Sequence, residues 1–180
     1  MNESIFHKIE QDKAPEIINV VVEISKGDYN KYELNKDYGI LECDRVLYGP
    51  TAFPFNYGDV PQSWNTPDND PADALVFSTY PLLAGSLIKA RVVGLVKMID
   101  NGEEDFKIVT VNSKDPRYDY IKDITDFPEW AMKDTKTFFE IYKYAQTGPG
   151  TVQIPEIVGK TEAMKFVELV LKDYREKFSK

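Results

Sequence analysis

Asp68-Asn69-Asp70-Pro71-Ala72-Asp73 places three carboxylates within six residues. Like charges at that spacing repel, and folding them together is unfavourable unless a cation or lysines neutralise them. Such a stretch reads as a solvated acidic loop, as a calcium loop of the EF-hand type, or as a divalent-metal site turned by Pro71. The calcium-loop reading fails, because Asp73 stands where the turn glycine belongs and Thr79 where the bidentate glutamate belongs. A second acidic group, Asp100, Glu103, Glu104 and Asp105, surrounds Asn101-Gly102. It reads as a polar hairpin tip, or as a turn whose flanking aspartates face one ion. Lys31, Arg45, Lys107 and Lys143 fall on different elements, and each alone reads as a surface charge. Lys31 and Glu33 share a strand face, however, and Glu23 lies on the preceding strand. A wall that turns carboxylates and cations inward is costly unless its ligand is charged both ways, as a metal–phosphate complex is.

Composition narrows the chemistry further. The 180 residues carry 22 Lys and Arg against 30 Asp and Glu, a formal net charge of −8. Phosphate backbones call for a basic surface, so a nucleic-acid partner is not expected. One cysteine, Cys43, excludes an internal disulfide and a multi-cysteine metal site. One histidine, His7, in a polar lead-in makes a Ser-His-Asp or Cys-His apparatus improbable. Chemistry is left to carboxylates, lysines, arginines and tyrosines, which suits hard cations with oxygen ligands. The longest apolar run, Val92 to Val96, falls short of the ~20 residues of a spanning helix, so no membrane partner is expected. The N-terminus shows no apolar targeting segment, and the cytoplasm is the expected compartment.

The elements that must position these residues follow from periodicity. Residues 1–14 read as a polar lead-in to one domain spanning residues 1–180. Ile18, Val20, Val22 and Ile24 alternate on one strand face, with Glu23 on the other. Tyr29 to Asn35 and Ile40 to Leu47 read as strands around an Asp37-Tyr38-Gly39 turn. Gly49 to Pro71 holds five prolines and reads as a long irregular segment packed by Phe53, Phe55, Tyr57 and Trp64. Ala74 to Phe77, Leu87 to Met98 and Phe106 to Val111 read as further strands. The period then turns helical. One helix from Asp126-Phe127-Pro128 carries Trp130, Ala131, Phe138, Tyr142 and Ala145 on one side and ends at Gly148-Pro149-Gly150. A second begins near Thr161 with Ala163, Val167, Val170, Leu171, Tyr174 and Phe178 at helical spacing. The order predicts an α+β fold, a barrel-like set of strands followed by two helices.

With these segments in order, the sequence resembles the family I soluble inorganic pyrophosphatases, of the short bacterial type. The resemblance runs from about Val20 to Lys143. It rests on Val21-Val22-Glu23-Ile24, Lys31-Tyr32-Glu33, Cys43-Asp44-Arg45, Phe55-Asn56-Tyr57-Gly58, Asp68 to Asp73, Lys97-Met98 with Asp100, Asp105 to Lys107, and Phe138 to Lys143. It implies a distorted five-stranded, OB-like β-barrel flanked by two C-terminal helices. It implies Mg2+-dependent hydrolysis of pyrophosphate, several ions per site, and a homo-oligomer, a homohexamer at this length. By the same resemblance Asp68, Asp73 and Asp105 are ligands of the tight activating metal, and Asp73 bridges to a second. Asp100, with Asp105, takes metals that arrive with substrate, and Glu23 and Glu33 reach metals through water. Asp70 is the carboxylate that takes the proton of the attacking water. Lys31, Arg45, Tyr57, Lys107, Tyr142 and Lys143 hold phosphate.

Some positions depart from the family pattern. Phe53 replaces a common tyrosine, Ala72 a larger aliphatic, and Pro149 stands where many members place a lysine. Thr137 and Ile141 stand where many bacterial members carry histidines at a subunit contact. The competing readings are a catalytically silent divalent-metal module, an OB-type module whose aromatics stack nucleic-acid bases, and a nucleotide pyrophosphohydrolase.

Overall fold

In this computed structural model the described residues are 4–35 and 38–178. Residues 1–3 of the expected lead-in and Asp37 of the expected turn lie outside them. The strands are β1 (Ile17–Ile24), β2 (Asn30–Asn35), β3 (Ile40–Val46), β4 (Asn56–Asp59), β5 (Asp73–Phe77), β6 (Leu87–Asp100), β7 (Glu103–Glu104), β8 (Lys107–Asn112) and β9 (Val152–Gly159). The α-helices are α1 (Glu129–Ile141), α2 (Tyr144–Thr147) and α3 (Lys160–Phe178). Strands β1, β4, β5, β8 and β6 pair in that order, and β6 returns to β1, so five strands close into a distorted ring. Only the β5–β8 pair within this ring is parallel.

Ring closure explains the burial of β1. Its expected apolar face, Ile18, Val20, Val22 and Ile24, is fully buried. On the opposite face β2 packs over the strand, Leu34 N donates to Glu23, and Glu23 is left 3% exposed. Strands β2 and β3 form a separate hairpin, with Lys31 opposite Arg45 and a bulge after Lys31. One apolar core lies between the ring and α1, around Phe55, Phe138, Phe139 and Met98. A second lies between the ring and α3, around Val92, Leu95, Val167 and Val170.

The fold departs from the sequence expectation at three places. The irregular Gly49 to Pro71 segment contains β4, buried at every residue. Asn, Gly and Asp are depleted in strands, and of the four residues only Tyr57 favours one. Tertiary bonds fix the strand instead. Asn56 Oδ1 accepts from Lys26 N and Leu82 N, and its Nδ2 donates to Val76 O. Strand β9, with Pro155 inside it, pairs with β6 at the edge, where a missing N–H is tolerated. The first helix ends at Ile141, and α2 begins at Tyr144. Its buried stripe is Ala131, Thr135, Phe138, Phe139 and Tyr142, which leaves Trp130 and Ala145 in solvent.

Gly58 is the tightest approach in the ring. A Cβ there would stand 2.0 Å from Val21 O. Since Gly58 lies between Tyr57 and Asp59, any larger residue pushes β4 off β1. Gly58→Ala should therefore lower the unfolding free energy by about 3 kcal/mol, the upper end of overpacking effects. Urea denaturation measures it, and a loss under about 1 kcal/mol would contradict this account of the contact.

Candidate active site

Strand register gathers charge at one mouth of the ring. Glu23 is the penultimate residue of β1, Asp59 ends β4, Asp73 opens β5, Asp100 ends β6 and Lys107 opens β8. Asp59 and Asp73 are direct partners across β4 and β5, and Asp73 and Lys107 across β5 and β8. The β2–β3 hairpin adds Lys31, Glu33 and Arg45, the loop before β5 adds Asp68 and Asp70, and the end of α1 adds Tyr142 and Lys143. All thirteen residues singled out in the sequence line this one cleft. Asp59 and Leu34 line it too. Among the described residues the lining holds eight carboxylates and four cationic side chains.

Lys107 is the hub. Its side chain is 3% exposed, and its ammonium pairs with both Asp73 and Asp105. Burial alone would lower its pKa, but the two carboxylates outweigh that and hold it far above the usual lysine range. Lys143 pairs with Asp100, and Arg45 pairs with Asp44. Lys31 pairs with Glu33 and lies 3.5 Å from Asp44 Oδ2. Glu23 Oε1 accepts from Leu34 N at 2.6 Å. Burial, then Asp59 and Asp73, push the Glu23 carboxyl well up. Burial likewise raises Asp73, against the pull of Lys107. For Asp105, burial acts upward, but Lys107, Asp68 and Lys143 together hold it below the usual range. Burial pushes Asp68 up to about 7, with the neighbouring Asp105 carboxyl adding to the shift. Burial and adjacent carboxylates raise the Tyr57 and Tyr142 hydroxyls, so both stay protonated donors.

The carboxylate arrangement fits a divalent cation. Single oxygens of Glu23, Asp59 and Asp73 lie within 4.8 Å of one another, and hard ions take such oxygen donors. Asp59 escaped the sequence reading because it stands alone in a segment read as irregular. Its signal was alternation along β4, which puts Tyr57 and Asp59 on one face. Phe53, at the departure from tyrosine, packs against Phe55, Tyr57 and Phe138 and brings no hydroxyl. Ala72 is buried, with its N–H on Ser63 Oγ.

A strand ring whose mouth mixes metal-type carboxylates with cations is of the class that can take small polyanions together with divalent ions. The comparisons narrow this class. A family model for inorganic pyrophosphatase matches residues 20–175. The inorganic pyrophosphatase of Thermus thermophilus is 44% identical over 139 residues, covering 77% of this chain and 79% of that protein. Soluble inorganic pyrophosphatase 1 of Arabidopsis thaliana is 47% identical over 130 residues, 72% of this chain. That match spans only 61% of the plant protein's length. A solved Thermus thermophilus inorganic pyrophosphatase superposes with a TM-score of 0.88 at 39% identity, over 93% of this chain and 97% of that one. The chain belongs to the family I soluble inorganic pyrophosphatases, and its five-strand ring is the family's distorted OB-like fold.

Two outcomes follow from the charge balance. Lys107→Met leaves the half-buried Asp73 and Asp105 without their cation, and breaking a fully buried pair destabilises by about 3–5 kcal/mol, the upper bound here. Urea denaturation without metal should show that loss, and saturating Mg2+ should reduce it. An equal deficit with and without Mg2+ would refute the compensation. The second outcome concerns pH. In the fold Asp68 holds its proton up to about 7, whereas an unfolded aspartate releases it near about 3.9. Between those values the folded state binds more protons, so this contribution to stability falls as pH rises from about 4 to about 7. Melting of the metal-free protein should show that decline, and Asp68→Asn should flatten it; an unchanged slope in the variant contradicts the assignment.

Proposed function

We propose that the protein hydrolyses inorganic pyrophosphate to two orthophosphates, with Mg2+ as the divalent ion. The observation that supports this most is the shared lining of one cleft by eight carboxylates and four cations. Pyrophosphate is a compact polyanion that needs both kinds of partner. Divalent ions held by the carboxylates would supply a water of lowered pKa and a neutralised electrophile. Asp68, Asp73 and Asp105 would hold the tightest ion, Asp100 and Asp105 those that come with substrate, and Glu23 and Glu33 would act through water.

The remaining work falls to residues of this chain. Asp70, on the exposed rim, accepts the proton of the attacking water. Lys31, Arg45, Lys107 and Lys143 hold phosphate oxygens, with the Tyr57 and Tyr142 hydroxyls as donors. Negative charge grows on the leaving phosphate, and fixed charged donors stabilise it there. Each of these cations already sits on a carboxylate, so substrate binding exchanges one anionic partner for another. Neither Cys43 nor His7 belongs to the cleft lining, and direct attack by water needs no covalent intermediate.

The competing readings fare worse. A silent metal module has no need of four cations beside its carboxylates. Stacking on bases needs open ring faces; of the four candidate aromatics, Phe53, Phe55 and Tyr57 are buried, and half-buried Trp64 has the Lys177 ammonium over its ring and Phe178 packed against it. The cleft, about 220 Å3, is below the ~300 Å3 at which pockets for larger organic ligands begin. That disfavours a nucleoside triphosphate. No helix among the described residues is long and apolar enough to cross a membrane. The proposal places the enzyme in the cytoplasm as a homo-oligomer, a hexamer by its family resemblance.

Phosphate release from pyrophosphate with and without Mg2+, beside a nucleoside triphosphate, tests the reading; no Mg2+-dependent release from pyrophosphate would end it. Asp70→Asn removes the proton acceptor and keeps the shape. Its turnover should fall about 10²–10⁴-fold, the range for a positioned general base, with metal binding little changed. Asp73→Ala should weaken metal binding and turnover together. Should excess Mg2+ restore Asp70→Asn to near the parent rate, Asp70 is a metal ligand and not the base.

A further inference from the structure

The Asp68-Asn69-Asp70 segment is exposed at Asn69 and Asp70, carries mutually repelling carboxylates, and yet must hold a proton acceptor in place. Part of its order is internal. Asn65 N donates to Asp70 O at 2.7 Å, and Asn65 Nδ2 to Asp68 Oδ2 at 2.8 Å. Asn69, between the two aspartates, has a φ of 57°. An asparagine in that left-handed region costs some free energy and persists where its surroundings hold it.

What holds it comes from the far end of the chain. Trp64 N donates to Val170 O at 2.8 Å. Thr66 Oγ1 donates to Asp173 Oδ2 at 2.7 Å. Lys177 Nζ donates to Asn69 Oδ1 at 3.0 Å. Residues 170, 173 and 177 are spaced by three and four, so they form one stripe of α3. Successive points of that stripe thus grip successive points of the loop: 64, 66 and 69. Lys177 is itself fixed, because its ammonium lies 3.8 Å from the Trp64 ring centroid. Trp64 in turn packs edge-on against Phe178 at 5.4 Å. The family model's match ends at residue 175, before Lys177 and Phe178.

We propose that the last turns of α3 latch the loop, with Lys177 a positioning residue for Asp70, acting through Asn69 and braced by Trp64. The inference rests on the reading of Asp70 as the proton acceptor. Lys177 is not among the residues that line the cleft and takes no part in the chemistry. It limits how far the carboxylate at position 70 can wander from the attacking water. Displacement of such a group by about 1 Å costs on the order of 10²-fold in rate. Loss of one of three grips should cost less.

The test compares Lys177→Met, Lys177→Arg, Asp70→Asn and the double variant Lys177→Met with Asp70→Asn, each by phosphate release at saturating Mg2+ and by melting. Lys177→Met should lower kcat about 3- to 10-fold, short of a full misplacement. KM should stay unchanged, and the melting temperature should shift by less than about 2 °C, as for other surface substitutions. Lys177→Arg keeps the charge over the ring and a donor for Asn69, and should restore the parent kcat. In the Asp70→Asn background, Lys177→Met should cost nothing more, because the group it positions is gone. A parent-like kcat in Lys177→Met, a fall in stability with no fall in kcat, or a full additive loss in the double variant would overturn the latch. An Asp70→Asn variant with the parent rate would overturn the reading beneath it, and the latch with it.

Discussion

Lys107 sits where the demands on this chain meet. Its ammonium is buried, contacts two carboxylates, and belongs to a cleft whose lining carries twice as many acidic as cationic side chains. Charges removed from water are costly, and like charges gathered at a strand edge more so. A cleft of this kind forms only if the rest of the fold is stable enough to impose it. The two apolar cores on either side of the ring supply that stability through Phe55, Phe138 and Phe139 on one flank and Val92, Leu95 and Val167 on the other.

The topology converts that stability into geometry. Parallel pairing of β5 with β8 sets Asp73 beside Lys107. Antiparallel pairing of β4 with β5 sets Asp59 opposite Asp73. A one-residue slip of either pair would turn these side chains to the other face, so register and charge balance are one specification. Gly58 permits the close β1–β4 approach that this register needs. Hairpin cations and the end of α1 then close the cleft from outside the ring. The excess of negative charge that remains is the physical reason to expect divalent ions as its counter-charge.

Much of this was legible in the sequence, for reasons that differ by element. The aspartate loop is dense in charge and punctuated by Pro71, so its chemistry shows locally. Helix α3 and the apolar face of β1 are long enough for periodicity to speak. By contrast β4 is four residues long and consists of Asn, Tyr, Gly and Asp, so only its partners make it a strand. Asp59 was missed for the same reason, since its place beside Glu23 and Asp73 comes from pairing between distant segments. Trp130 was misplaced because an aromatic at a helix start looks like core, while the stripe of α1 turns it to solvent. The grip of α3 on the loop joins residues 107 and 108 positions apart, a distance at which no local pattern operates.

The central claim is that divalent ions complete the charge balance of this cleft. Crystals soaked in Mn2+ would test it most directly, through the anomalous signal of the ion. The account predicts strong anomalous peaks inside the cleft, in contact with Asp73 and Asp105 and with their neighbours among Glu23, Asp59, Asp68 and Asp100. A cleft free of Mn2+ at saturating concentration, with peaks only at exposed carboxylates elsewhere, would contradict it.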